Sequence, residues 1–342
     1  MTTKKFIQSS ILSVLIIVLS ITSFYSNAEF EKQINGCIYE TIKSADKTKT
    51  LQQIEDFCAK TVVKENVKIK QLGLISERIL KERENAFNPF VITPHRMNYI
   101  LPVLMTDGIN KDAYDFDPEM ASNLKDVEAK FQLSIKVPLT TSHLLTKGDK
   151  IYFGFTLESW WQLYSEEISR PFRETNYQPE FFYFAPLDWH PIDSNSAIVL
   201  GFQHQSNGRT QLVSRSWNRI YANFLFEKNN IALSFKPWFR IPEGDKVTSE
   251  NIIGDDNPDI EDFMGHFELS AVYKWRGKYE FSMKARENFT EHNGAIELGM
   301  TFPLWGNLKG YVQYFNGYGE SLVDYNYSQQ RFGIGIALSD IL

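Results

Sequence analysis

Cysteine is nearly absent: the 342-residue chain has two, Cys37 and Cys58. No Cys-x-x-Cys pair or histidine cluster accompanies them, so in an oxidising compartment a disulfide is expected rather than a metal site. Positive charge is in deficit as well, with 36 Lys and Arg against 42 Asp and Glu. Taking away Lys4 and Lys5 with an N-terminal leader leaves 34 against 42, a net charge of −8. That balance excludes the polyphosphate logic of nucleic-acid binding, so no nucleic-acid partner is expected. Beyond the leader, no stretch reaches the roughly 18 consecutive apolar residues of a membrane-spanning helix.

The leader itself is legible. "MTTKKFIQSSILSVLIIVLSITSFYSNAEF" has two lysines, an apolar run from Ile11 to Ile21, and Ser26 and Ala28 at the small-x-small spacing. Residues 1–28 therefore read as a secretory signal peptide, with the mature chain starting near Glu29. Residues 29–87 are rich in Lys, Glu, Leu and Ile, with Gly73 a rare glycine, and suit helices. They read as a short helical periplasmic extension clipped by the cysteine pair.

From about residue 88 the pattern changes to period two. "KFQLSIKVPL" sets Phe131, Leu133, Ile135 and Val137 against Gln132, Ser134 and Lys136, and "KYEFSMKAR" sets Tyr279, Phe281, Met283 and Ala285 against Glu280, Ser282, Lys284 and Arg286. About twelve such segments occur, each near the 9 to 11 residues of a tilted membrane strand. An even count returns both ends of the chain to the periplasmic side. A soluble β-sandwich also alternates. Two features favour the membrane: polar faces mixing Lys, Arg, Glu, Ser and Gly, and Trp or Tyr near segment ends in "SWW", "KPW", "YKW" and "PLW". The expected fold is all-β, with residues 88–342 forming a twelve-stranded antiparallel transmembrane β-barrel in the bacterial outer membrane.

On that reading one face carries unexpected chemistry. In "IVLGFQHQSNGRTQLVSRSWNRIYANFLF" the apolar stripe Ile198, Leu200, Phe202 continues into His204 and Ser206. A second stripe, Ile220 to Phe226, is preceded on its face by Asn218. Cα atoms two apart on a strand face lie roughly 6.5 Å from each other, close enough for an imidazole to reach a hydroxyl. With a turn centred near Thr210, Ser206 would pair with Ser214 and His204 with Ser216, leaving Asn218 diagonal to His204. Singly, each residue is an ordinary polar side chain at a strand end. Together they form a hydroxyl, a base and an orienting amide, the logic of an activated serine. Facing lipid, such a group has phospholipid as its natural substrate.

The same stretch carries a family resemblance. "SRPFRETNYQPEFF" (169–182), "HQSNGRTQLVSRSWNR" (204–219), "DDNPDI" (255–260) and "GYGESLVDYN" (317–326) resemble the outer-membrane phospholipase A family, over essentially all of residues 88–342. The resemblance implies calcium-dependent hydrolysis of acyl esters at the first or second glycerol carbon, and of lysophospholipids. It implies Ser206 as nucleophile, His204 as base, Asn218 as orienter and the Gly208 N–H in the oxyanion hole. It further implies Ca2+ held by the Arg209 carbonyl, the Ser214 hydroxyl and a Ser169 carbonyl from a second copy, an accessory calcium site around Asp256, and activity in the homodimer. Three positions depart: Gln211 stands where the family has an acid, Leu157 where the resemblance places a polar residue on the dimer face, although Thr175 remains, and Leu342 where barrel proteins usually end in an aromatic. Glu174 is expected in a barrel-interior network, and Asp255, Asp256 and Asp259 in a solvated turn. The rival reading from another class is a non-enzymatic barrel, a small porin or adhesion scaffold; a soluble β-sandwich hydrolase is a third.

Overall fold

The computed structural model describes residues 36–39, 41, 54, 57–58, 73–84, 92–140, 143–209, 213–246, 254–306 and 308–341. The signal-peptide reading of residues 1–28 lies outside them, as does Gln211. The chain forms two compact units, residues 1–72 and 73–342. In the first, residues 36–39 are helical, and Cys37 and Cys58 are joined by a disulfide with their Cα atoms 5.7 Å apart.

The second unit is a closed barrel. Its strands are β2 (Tyr99–Thr106), β3 (Val127–Pro138), β4 (Lys150–Trp161), β5 (Phe172–Leu187), β6 (Asn195–Ser206), β7 (Ser216–Lys228), β8 (Ile231–Ile241), β9 (Phe267–Trp275), β10 (Tyr279–Asn288), β11 (Asn293–Trp305), β12 (Leu308–Tyr318) and β13 (Ser328–Ala337). Each pairs antiparallel with its neighbours, and β13 pairs with β2 to close the ring. The twelve strands of the sequence reading are therefore present. A two-residue strand, β1 (Thr93–Pro94), is additional, and continues the line of β2 along the end of β3. Closure removes every sheet edge, which hydrocarbon demands because it offers backbone groups no water.

Period two sorts the side chains as the alternation implies. Leu133, Leu200, Ile220, Leu233 and Phe239 are exposed on the outer surface, while Glu128, Lys130, Arg173, Glu180 and Arg331 are buried inside. The far half of the interior, opposite the rim where the barrel begins and ends, is a continuous ionic cluster. Arg173 donates to Glu128 at 2.9 and 3.0 Å and to Asp324 at 2.9 Å, and Arg331 bridges Glu128 to Glu320, which also pairs with Lys130 at 3.1 Å. Buried charges are tolerated because each is paired and hydrogen-bonded. A lumen filled this way departs from the sparse aqueous interior of a porin.

Arg173 and Glu174 are adjacent, yet both are buried. Strict alternation forbids that. The β4–β5 register slips here, Trp160 facing Glu174 and Trp161 facing Phe172, so Arg173 is the extra residue of a bulge that turns it inward. Glu174 lies in the interior, as the sequence reading favoured: it accepts from the Asn176 amide and the Val323 N–H.

The near half holds a cavity of about 430 Å³, lined in part by Ile75, Arg78, Ile79 and Glu82 of helix α1 (Leu74–Glu84). This helix, assigned from sequence to the extension, belongs to the barrel's compact unit. Its N-terminus rests on buried Glu227 of β7, whose carboxylate accepts the Ile75 and Ser76 N–H groups and the Ser76 hydroxyl. An anion at a helix N-terminus satisfies orphan donors and the macrodipole together. Further along, Arg78 donates to the carbonyls of Pro94 and His95, and Lys136 of β3 pairs with Glu82 at 2.8 Å. Burial opposes ionisation of Glu82, but Lys136 and Arg78 outweigh it and hold the carboxyl below its usual range. Above that range the pair contributes to docking; it is lost as pH falls through the lowered value. Glu227→Ala should lower hydrogen-exchange protection of the α1 amides by on the order of tenfold or more, the loss of charge-assisted bonds worth about 1.5–3 kcal/mol each, while leaving the barrel strands protected.

Candidate active site

Strands β6 and β7 build the site. Ser206 ends β6 and Ser216 begins β7, so the residues between them form a far-rim loop. Gln203, Gln205, Asn207, Trp217 and Arg219 are buried on the inner face. Their alternates His204, Ser206 and Asn218 are half-buried and share the outer face with exposed Phe202 and Ile220. The side chains of the trio thus lie on the lipid-facing surface, at the edge of the apolar band.

The register corrects one expectation. Ser206 pairs with Ser216 and His204 directly with Asn218, not Ser206 with Ser214 and His204 with Ser216. The turn is centred one residue later than assumed, and Asn218 moves from a diagonal position to the closest one available across two strands. His204 Nδ1 lies 2.9 Å from Asn218 Oδ1. Asn218 Nδ2 donates in turn to Glu243 Oε1 at 2.9 Å, which fixes which way round the amide stands. An amide oxygen accepts only, so the His204 tautomer carries its proton on Nδ1 and presents a free lone pair on Nε2. Held this way, the ring keeps Nε2 open, and Ser206 lies two residues on along the same strand face.

The loop after Ser206 is organised from inside the barrel. Buried Asn207 donates its N–H to the Arg215 carbonyl at 3.1 Å and accepts from the Arg215 N–H at 3.0 Å and the Arg209 N–H at 3.3 Å. Its amide donates to the Val213 carbonyl at 2.7 Å. Gly208 follows with φ +63°, and a Cβ there would approach the Tyr177 ring to 3.3 Å. Tyr177 stands opposite Ser206 on β5. Gly208, an exposed residue, therefore makes a left-handed turn two residues after Ser206, a conformation glycine adopts without strain. The Arg209 guanidinium donates to the carbonyls of Phe172 and Arg173, both at 2.9 Å, tying this loop to the start of β5.

The remaining predicted residues fall around this loop. The Ser214 hydroxyl donates to Asp256, whose other carboxylate oxygen pairs with Lys246. Ser214 and Asp256, assigned from sequence to separate calcium sites, are thus in direct contact. Ser169 is exposed on the neighbouring far-rim loop with φ 59°. Asp255, Asp256 and Asp259 do not form a solvated turn: Asp255 accepts from Arg240 at 2.6 Å through both oxygens, and Asp259 accepts from the Tyr325 hydroxyl at 2.6 Å. Among the described residues no three His, Cys, Asp or Glu side chains gather as a metal-binding group. The available donors are carbonyls, one hydroxyl and one carboxylate, the hard oxygens that suit calcium rather than zinc.

Sequence reasoning missed Asn207, Asn257 and Glu243. Asn257 is fully buried and accepts the Ser216 N–H at 3.0 Å, bracing the strand opposite Ser206. Its signal was available in the Asn-Pro of "DDNPDI". Glu243 carried none, since it reaches the site from the loop after a third strand.

Comparison with known proteins agrees with this architecture. The family model described as Phospholipase A1 matches residues 75–338. The chain is 37% identical over 277 residues to Phospholipase A1 of Klebsiella pneumoniae, covering 79% of this chain and 88% of that one. Against its Escherichia coli K12 counterpart the identity is 36% over 275 residues, with the same coverage. The solved dimer of Salmonella typhi outer membrane phospholipase with bound calcium superposes with a TM-score of 0.70 at 35% identity, covering 77% of this chain and 98% of that one. With a matching family profile, relatives above one-third identity and a shared twelve-stranded barrel, the chain belongs to the phospholipase A1 family, as an enzyme built on an outer-membrane β-barrel.

Proposed function

We propose that the barrel hydrolyses the first- and second-carbon acyl esters of membrane phospholipids, and those of lysophospholipids, with Ser206 as nucleophile. The observation that carries this reading is the His204–Asn218 hydrogen bond on the lipid-facing surface, with Ser206 next along the same face. A substrate in the outer leaflet reaches such a site by lateral diffusion, its acyl chains lying along the apolar band and its ester groups level with the strand ends.

The chemistry follows from the placement. Ser206 Oγ attacks the ester carbonyl carbon as its proton passes to His204 Nε2. The carbonyl oxygen, now negative, is met by the Gly208 N–H. Collapse breaks the bond to the glycerol oxygen, which takes the proton from His204 and leaves an acyl-Ser206. Water then attacks with His204 again accepting a proton, the fatty acid departs and the hydroxyl is restored. Asn218 holds the ring in the right tautomer throughout.

Calcium belongs to the same proposal: the Arg209 carbonyl and Ser214 hydroxyl, with Ser169 of a second copy, would hold it, and Asp256 would serve an adjoining site. The Salmonella typhi relative is a dimer with bound calcium, which supports the reading. Bound there, calcium would add positive charge and ordered water near the developing oxyanion. A site divided between two copies is weak until they meet, so dimerisation would keep a potentially lytic enzyme quiet in an intact membrane. Residues 1–28 as a removed leader complete the proposal, with 29–87 as an extension whose last helix, α1, belongs to the barrel's compact unit.

The test is hydrolysis of a phospholipid bearing two different acyl chains by refolded full-length protein with calcium. Release of both fatty acids is the expected result. Absence of hydrolysis by protein that shows heat-shifted gel mobility would defeat the reading.

A further inference from the structure

We infer that Glu243 is a positioning residue of the catalytic relay, supplying through Asn218 the negative charge that a neutral amide lacks; this rests on the hydrolase reading above. The geometry spans three adjacent strands. His204 on β6 faces Asn218 on β7, and Asn218 faces Ile241 on β8. Glu243 lies two residues beyond Ile241, in the loop that leaves the strand, and its carboxylate accepts the Asn218 amide at 2.9 Å.

The loop is held where this contact needs it. The Gly244 carbonyl accepts the Asp255 N–H at 2.8 Å, and Asp255 is itself locked onto Arg240. The neighbouring residue Asn257 ties the same segment to Ser216. Glu243 is therefore carried by a backbone braced against the catalytic strands.

Two consequences follow for the reaction. A flipped Asn218 would aim its NH2 at the Nδ1–H of His204 and its carbonyl at a carboxylate, two repulsive contacts, so Glu243 selects the productive rotamer. Donation to a carboxylate also polarises the amide and strengthens its oxygen as acceptor, when His204 gains positive charge from the serine proton. A carboxylate placed directly on His204 would have to shed water at the lipid boundary. Set one amide further out, the charge sits in the loop beyond the strand end while a dipole faces the bilayer.

The experiment is steady-state kinetics of full-length refolded variants with calcium. Glu243→Ala should lower kcat by on the order of tenfold or more, with KM within about twofold, as loss of an orienting partner does elsewhere. Glu243→Gln keeps an acceptor and should lose less. In the Asn218→Ala background Glu243→Ala should cost nothing further, because the pair acts as one. In the Asn218→Asp background the sign should reverse, Glu243→Gln raising the rate by relieving two facing carboxylates. A structural role cannot produce that reversal. Parental kcat in Glu243→Ala, or an equal loss in the Asn218→Ala background, with Ser206→Ala inactive, overturns the relay alone. Full activity in Ser206→Ala overturns the hydrolase reading and the relay with it. Heat-shifted gel mobility shows that each variant has folded.

Discussion

Ser206→Ala is expected to lower kcat by on the order of 10⁴-fold or more, and combining it with His204→Ala should cost almost nothing further, because a nucleophile and its base act as a unit. His204→Ala alone should approach the same floor. The hydroxyl of serine is a poor nucleophile at neutral pH, and what changes this is a ring nitrogen with an open lone pair in reach. The hydrogen bond from Nδ1 to Asn218 leaves the Nε2 lone pair open, on the strand face it shares with Ser206. Asn218→Ala should cost less than either, since the base survives and only its tautomer and aim are lost. Initial rates on mixed micelles, with each variant checked for the heat-shifted mobility of a folded barrel, make the comparison. If Ser206→Ala keeps near-parental turnover, the nucleophile has been misassigned.

How much of this was legible in the sequence depended on whether one strand or several had to be known. Alternation is a property of a single strand, so the faces of β3 and β10 could be read directly, and with them the outward aspect of His204, Ser206 and Asn218. Register is a property of two strands and of the loop joining them. Here the loop is closed by Asn207, whose buried side chain grips Val213, Arg215 and Arg209 from inside the lumen. No period-two pattern announces that grip, and the ladder came out shifted, with His204 facing Asn218 instead of Ser216. The same reason hides Arg173, which a bulge turns inward against the alternation. Glu243 requires three strands to be placed before it approaches Asn218. Helix α1 was legible as a helix but not as part of the barrel unit, since its partners Glu227 and Lys136 lie about 150 and 50 residues downstream by the numbering.

Removal of calcium should produce the second large effect, lowering the initial rate by about 10²- to 10³-fold, the range in which loss of one oxyanion-stabilising group falls. Gly208 offers one N–H at the turn after Ser206. A cation on the Arg209 carbonyl and Ser214 hydroxyl would supply the missing stabilisation. Magnesium should substitute poorly, because it demands tight octahedral coordination and gives up water reluctantly, whereas calcium accepts irregular sets of six to eight oxygens. Ser214→Ala should raise the calcium concentration needed for half-maximal rate while leaving the barrel folded. Asp256→Asn should do so too, as Asp256 holds the Ser214 hydroxyl and is itself held by Lys246. Lys246→Ala should act in the opposite direction, freeing the carboxylate from a competing cation. Titrating calcium into chelator-treated protein separates these effects, since changes in affinity shift the midpoint and changes in chemistry shift the plateau. Undiminished turnover in excess chelator, with Ser206 still essential, would sever calcium from the reaction.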